Sequence, residues 1–223
     1  VRTGQDFGML PFTGGFGSAR TEAADTGAAA DTEPMDLRSY EELAEDLRSV
    51  GLVVPEDLVS ELQEQEADEM YGEYLRDVYE SDPAYGYREL LMYLGYGDYD
   101  DDFNRIPLSD QVYAFDCEMW DISSMYTEVL NGIISISGGE YEITDIEENT
   151  DQVDYENNEG VQLLSFKYNG VPYTFKAEVN YDWLDLNFLD FMNQVLEEQD
   201  NPKRILVTSD GGQGCILLYN TPE

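Results

Sequence analysis

The sequence predicts an α+β fold, with an N-terminal helical layer followed by an antiparallel sheet of about five strands and its packed helices. Three observations carry this expectation. Asn169-Gly170 separates two alternating stretches, Val161–Tyr168 and Val171–Lys176, and is the dipeptide best suited to a two-residue hairpin turn, whose central residues need positive φ. Next, Leu184, Phe188, Phe191, Met192 and Val195 recur at the spacing of a helix laid on a sheet. Finally, Ile205–Thr208 and Cys215–Tyr219 bracket the turn-rich Ser209-Asp210-Gly211-Gly212-Gln213-Gly214, a second hairpin.

A turn at Asn169-Gly170 fixes the register of the first hairpin. Tyr168 then faces Val171, Phe166 faces Tyr173 and Leu164 faces Phe175 on one apolar side. Lys167 with Pro172, Ser165 with Thr174 and Leu163 with Lys176 take the other side, which suits solvent. A slip of one residue would exchange the two faces, so the register is strongly specified.

Taken in order, residues 1–34 are rich in Gly, Ala, Thr and Asp and read as a flexible leader or linker. Met35 stands directly before a helical pattern and is an alternative natural start. Residues 35–97 read as a helical segment. Leu37, Tyr40, Leu43 and Leu47 keep helical spacing up to the stop at Gly51. Pro55-Glu56-Asp57 resembles a first turn with Pro at its first helical position and acids at the positive end of the helix dipole. Leu58, Leu62, Tyr71, Leu75 and Val78 extend that helix to Pro83, and Tyr87, Leu90, Leu91 and Leu94 form a third helix closing at Gly95. Residues 98–223 read as an α+β domain. In it, Val112, Ala114 and Phe115 form a short strand or a lead-in, Ile122 to Ile133 a helix ending near Gly138-Gly139, and Tyr141–Ile146 a strand whose polar Glu142, Thr144 and Glu147-Glu148 face out or end it. Asp151 to Gly160 reads as a polar loop.

Acidity dominates the composition: 49 acidic against 11 basic residues leave a formal net charge of −38. Nucleic acid and anionic membrane surfaces are disfavoured, because binding them needs clustered Lys and Arg. A basic protein or a divalent cation is favoured by the same field. Solvent adaptation is the plainer reading of such charge, but 17 Tyr and 9 Phe exceed what a solvated acidic surface requires, and they argue against general disorder. There is no apolar run long enough to insert in a bilayer, and the expected compartment is the cytoplasm, with secretion or surface exposure as the alternative. The chain has no histidine, which removes the usual general base near neutral pH, the Ser-His and Cys-His pairs and every His-containing zinc site. Cys117 and Cys215 are too far apart for a CxxC pair and read as buried small residues that form a disulfide only if the fold brings them together.

Several local patterns invite a chemical reading. Asp98-Tyr99-Asp100-Asp101-Asp102 is the most metal-like run, but it lacks the Gly at the sixth and the Glu at the twelfth position of a calcium loop. The Gly-rich run 209–214 precedes a strand, whereas phosphate loops open a helix. Leu10-Pro11-Phe12-Thr13-Gly14 resembles the LPxTG signal of sortase substrates, yet neither an apolar stretch nor a basic tail follows it. Trp120 and Trp183 stand beside expected helix starts and read as core anchors. No catalytic residue, metal ligand or cofactor is expected. What stands out is aromatic and acidic residues threaded together: Tyr96, Asp98, Tyr99, Asp100, Asp101, Asp102, Phe103, Asp110 and Tyr113. Tyrosine is a favoured interface hot spot, and surrounding acids steer a basic partner toward it. The same tyrosines also suit half-buried positions at the edge of a helical layer.

The stretches Tyr96–Asp100, Ser109–Asp116 and Ser209–Gly214 resemble acidic, uncharacterised proteins of gut Firmicutes. In composition and architecture, residues 35–223 are similar to immunity proteins of bacterial polymorphic toxin systems, which are small, acidic α+β proteins without catalytic residues. That resemblance implies a non-enzymatic acidic binding protein that neutralises or masks a basic protein partner. The competing reading is a structural or accessory module whose acidity is solvent adaptation or holds divalent cations.

Overall fold

The computed structural model describes residues 38–99 and 105–222. Ser39 opens the first helix, α1 (Tyr40–Ser49), through a capping box: its hydroxyl accepts from the Glu42 amide while the Glu42 carboxylate accepts from the Ser39 amide at 2.8 Å. Tyr40, Leu43 and Leu47 are buried as their spacing predicts. Helix α2 (Glu56–Glu66) is preceded by Pro55 in an extended conformation, so the proline is the cap residue rather than the first helical one.

The long helix expected between Pro55 and Pro83 is instead two, α2 and α3 (Glu69–Ser81). Between Leu62 and Tyr71 the stripe carries Ala67 and Met70 as its only apolar residues, so no continuous face holds one helix together. The chain bends there closely enough that a Cβ on Gly72 would lie 2.3 Å from the Glu66 carbonyl oxygen. Helix α4 (Tyr85–Tyr96) runs past Gly95 and stops at Gly97, whose φ of 70° an L side chain resists. Gly95 has a different task. A Cβ there would meet Ala114 at 2.7 Å, so its bareness lets α4 press onto the strand beneath.

Two two-residue strands, β1 (Asp98–Tyr99) and β2 (Arg105–Ile106), pair antiparallel. After β3 (Val112–Asp116) and α5 (Met125–Ser135) come β4 (Ile143–Asp154), β5 (Glu159–Tyr168), β6 (Val171–Glu178), α6 (Asn187–Glu198), β7 (Arg204–Ser209) and β8 (Gly214–Asn220). The fold is α+β, with its larger strands divided between two three-stranded antiparallel sheets, β3-β8-β7 and β4-β5-β6, instead of one sheet. The division follows from burial. β3 carries Val112 and Ala114 on one face and Tyr113 and Phe115 on the other, all buried, so it needs cover on both sides. Its partner β8 is equally apolar, whereas β4 and β5 keep a polar outer face.

The β5–β6 hairpin has the register the sequence predicts: Tyr168↔Val171, Phe166↔Tyr173 and Leu164↔Phe175, with Asn169 and Gly170 both at positive φ. The segment 151–160 departs from expectation. β4 continues to Asp154 and pairs down to Asp154↔Glu159, with a turn at 155–158. This end of the hairpin is mostly exposed on both sides, so no apolar period marks it in the sequence.

Two cores result. Phe166, Phe175, Phe188 and Met192 join Tyr126, Leu130, Phe115 and Leu217, so α5 and α6 pack with both sheets. The opposite face of β3 and β8, through Val112, Ala114 and Ile216, packs with α1, α2 and α4. The described residues therefore group as one compact unit.

Candidate interaction surface

Those of the sequence-predicted binding residues that lie among the described residues do not converge. Tyr96 ends α4 half-buried, its phenol pushed up to about 12 by burial and then by the nearby Asp210 and Asp116 carboxylates. Asp98 is exposed and pairs with Ile106 in the β1–β2 ladder, and Tyr99 pairs with Arg105. Asp100, Asp101, Asp102 and Phe103 lie outside the described residues. Tyr113 is a core residue, 3% exposed, stacked on Phe115 at 5.6 Å with the Arg105 guanidinium 4.6 Å from its ring centre. Its ring fills the space that a Cβ on Gly132 would occupy. Because β3 is covered on both faces, Tyr113 has no ring face to offer a partner. Asp110 precedes β3 at the end where Val112 pairs with Leu218, in a cleft of about 300 Å³ with Gln111, Lys203 and Tyr219. The Tyr96 hydroxyl lies beside Gly214 at the other end of that strand. At about 3.3 Å per residue, the two ends of the ladder are roughly 13 Å apart.

A different surface is assembled from segments whose tryptophans the sequence assigned to the core. Beyond β3 the alternation of burial continues: Cys117 and Met119 are buried, and Asp116, Glu118 and Trp120 are exposed. Helix α5 starts only at Met125, so Trp120 is not on a helix face, and its side chain is fully exposed. The segment after β6 runs alongside. Met119 donates its amide to the Asp182 carbonyl at 2.6 Å, Leu184 donates to the Cys117 carbonyl at 2.8 Å, and Glu118 forms a β-bridge with Trp183. There Leu184 takes the inward position, leaving Tyr181, Trp183 and Leu186 exposed. The 155–158 turn closes the surface: Asn158 accepts from the Tyr181 amide, and Tyr155 is exposed. A cleft of about 200 Å³ between these segments is lined by Ile122, Tyr155, Asn158, Val179, Tyr181 and Asp182.

The rim of this surface is acidic. Segments 116–122, 154–159, 180–186 and 209–214 carry Asp116, Glu118, Asp121, Asp154, Glu156, Glu159, Asp182, Asp185 and Asp210, with no Lys or Arg among them. Gln213 donates one amide to both Asp116 and Glu118, at 2.9 and 3.1 Å, and gathers two carboxylates beside the tryptophan segment. The Asp121 carboxyl is held below the ordinary range by hydrogen bonds from the Ser123 and Ser124 hydroxyls and the Ser123 amide, so it is charged at neutral pH. Isolated exposed apolar residues are normal, but contiguous ones rimmed by charge mark contact surfaces.

This arrangement can stack flat cations on aromatic faces and pair them with carboxylates. Among the described residues no group of three or more Cys, Asp or Glu is placed to hold a metal ion, and no helix is long and apolar enough to cross a membrane. The outward signal for Trp120 was present in the sequence, as the alternation Cys117, Met119 against Glu118, Trp120. No such signal links residues 116–122 to 180–186, which meet only through the fold. No protein-family model, curated protein or solved structure matches the chain.

Proposed function

We propose that this is a non-enzymatic acidic binding protein that captures a basic protein partner, with neutralisation of a basic toxin as its most concrete form. One observation carries the reading: both tryptophans of the chain stand at least partly exposed on one acid-rimmed surface, together with Tyr155 and Tyr181. The acids supply long-range attraction and set the rate of encounter. The aromatic side chains supply short-range contact for Arg and Lys, and they set the lifetime of the complex. Solvent adaptation alone accounts for the acids but leaves an exposed Trp120 unexplained.

The test begins with capture from a lysate of the source organism at low salt, in parallel with a Trp120→Ala/Trp183→Ala variant. The captured protein is then purified and its kinetics measured. Added salt is expected to slow association strongly and change dissociation little, because screening acts beyond a Debye length of about 8 Å. Trp120→Ala is expected to speed dissociation by about 30-fold, the equivalent of a hot spot of about 2 kcal/mol. A partner that binds the double variant equally well, or whose association is indifferent to salt, would refute the proposal.

A further inference from the structure

The two cysteines, 98 positions apart in sequence, meet at one end of the β3–β8 ladder. Cys215 lies opposite Phe115. Cys117 follows the last ladder pair, Asp116↔Gly214, and donates its amide to the Gln213 carbonyl at 3.0 Å. The two are thus diagonal neighbours on the same face of the ladder, and both side chains enter the core that holds Phe115 and Leu217. They are free thiols, 7% and 4% exposed. The neighbouring Cys215 thiol holds Cys117 below its ordinary value, against burial and the nearby Asp116 and Asp210 carboxylates. Cys117, together with burial, pushes Cys215 upward. The pair is also unequal in place: Cys117 lies just outside the ladder and is the more exposed of the two, so an oxidant reaches it first.

We propose that Cys117 and Cys215 form a peroxide-reactive thiol pair that closes a reversible disulfide between the end of β3 and the start of β8. The Cys117 sulfur attacks one oxygen of a hydroperoxide. The O–O bond breaks, an S–O bond forms, and the departing hydroxide leaves as water with the Cys117 proton. Sulfur is oxidised and the peroxide reduced. The Cys215 sulfur then attacks the Cys117 sulfenic acid. An S–S bond forms, the S–O bond breaks, and the hydroxyl leaves as a second water with the Cys215 proton. One hydrogen peroxide thus becomes two waters while two thiols become one disulfide, which a dithiol reverses. A water-sized oxidant matches the low exposure of both sulfurs. The bond would tie Cys117, three residues from Trp120, to β8, so the inference bears on the rigidity of the tryptophan segment but does not depend on any partner.

The test uses the full chain, hydrogen peroxide and a cyclic diketone that traps sulfenic acids, read by intact mass and peptide mapping. The wild type is expected to lose the mass of two hydrogens, to yield a Cys117–Cys215 cross-linked peptide, to gain no diketone, and to regain its thiols with dithiothreitol. Cys215→Ser removes the resolving thiol, so the diketone should add at Cys117. Cys117→Ser should leave Cys215 a thiol under the same exposure. The proposal is overturned if both wild-type cysteines remain alkylatable, if they oxidise separately to sulfinic acids, or if the diketone adds at Cys215 instead. Should either variant fail to fold, the wild-type peptide map decides alone.

Discussion

Replacing Phe188 by Ala tests the packing on which the second half of the molecule depends. The ring is fully buried on α6, 5.6 Å from Tyr126 at an edge-on angle of 79° and 5.2 Å from Phe175. It therefore joins α5, α6 and the β5–β6 hairpin at a single point. Truncation removes transfer free energy and leaves a cavity, because the rigid Tyr126 and Phe175 rings on two other elements cannot close over the gap, so the loss should be about 3–5 kcal/mol. For a domain of this size that corresponds to a fall in Tm of roughly 6–20 °C. Urea melts followed by far-UV circular dichroism would read it, with an unchanged m-value showing that the native and unfolded states keep their extents. Phe191→Ala is the comparison. That ring is half-buried, 5.3 Å from Phe175, and should cost less. A loss at Phe188 under about 1 kcal/mol would show that α6 is not seated there, and the two-sheet core would have to be redrawn.

Other consequences are as specific. Glu148→Ala should cost about 2 kcal/mol in the same melts, since its carboxylate accepts from the Tyr126 and Thr127 amides at 3.1 and 2.7 Å and supplies from β4 the cap that Ser124 does not provide for α5. Glu42→Ala should lower Tm at neutral pH, and the difference from wild type should vanish in acid. Hydrogen bonds from the Ser39 amide and hydroxyl hold the Glu42 carboxyl below its ordinary 4.5, so its stabilisation is present above that value and is lost as pH falls through the lower folded value. Trp120→Phe should leave Tm unchanged within about 0.5 kcal/mol of stability while removing the most solvent-exposed component of tryptophan emission, which a titration with a basic partner would quench in the wild type. Gly95→Val should weaken the seat of α4, because its Cβ would press on the Ala114 backbone nitrogen at 2.7 Å, and an undiminished Tm would disprove that close approach.

The sequence was most legible where one face meets the core and the other meets water. The β5–β6 register followed from Asn169-Gly170 and from the alternation on either side, because a slipped register would expose Leu164 and Phe166. Legibility fell where a segment is buried on both faces or on neither. β3 is covered by helices on one side and by α5 on the other, so its apolar run could not announce which sheet it joins. Residues 151–154 are a strand held by ladder bonds rather than by burial, so their sequence is that of a polar loop. The interaction surface was harder still. Trp120 reads inward from the sequence because tryptophan is commonly buried and the pattern places a helix start beside it. Tyr113, threaded between acids in the sequence, sits on a strand whose neighbours enclose it.

Acidity itself is weaker evidence for a binding role than a net charge of −38 implies, because many of the carboxylates are occupied locally. Asp116 accepts from the Glu118 amide at 2.8 Å, Asp121 from Ser123 at 3.0 Å, Asp154 from Glu156 and Asn157 at 3.1 Å, and Asp185 from Asn187 at 3.0 Å. Asp210 holds the Gly212 and Gly214 amides at 2.7 and 3.0 Å. These are turn-forming bonds that a carboxylate makes to its own chain two to four residues on, and Asn could make most of them without charge. What Asn could not do is leave a negative field around exposed tryptophans, and the turns in question are those that frame Trp120, Tyr155 and Trp183. Replacing Asp116, Asp121 and Asp185 by Asn should therefore keep the turns, and with them most of the stability, while removing the attraction. Slower capture of a basic partner at unchanged Tm would separate the two roles. A large fall in Tm would mean that the charges serve the fold first, and the binding proposal would then rest on the aromatic residues alone.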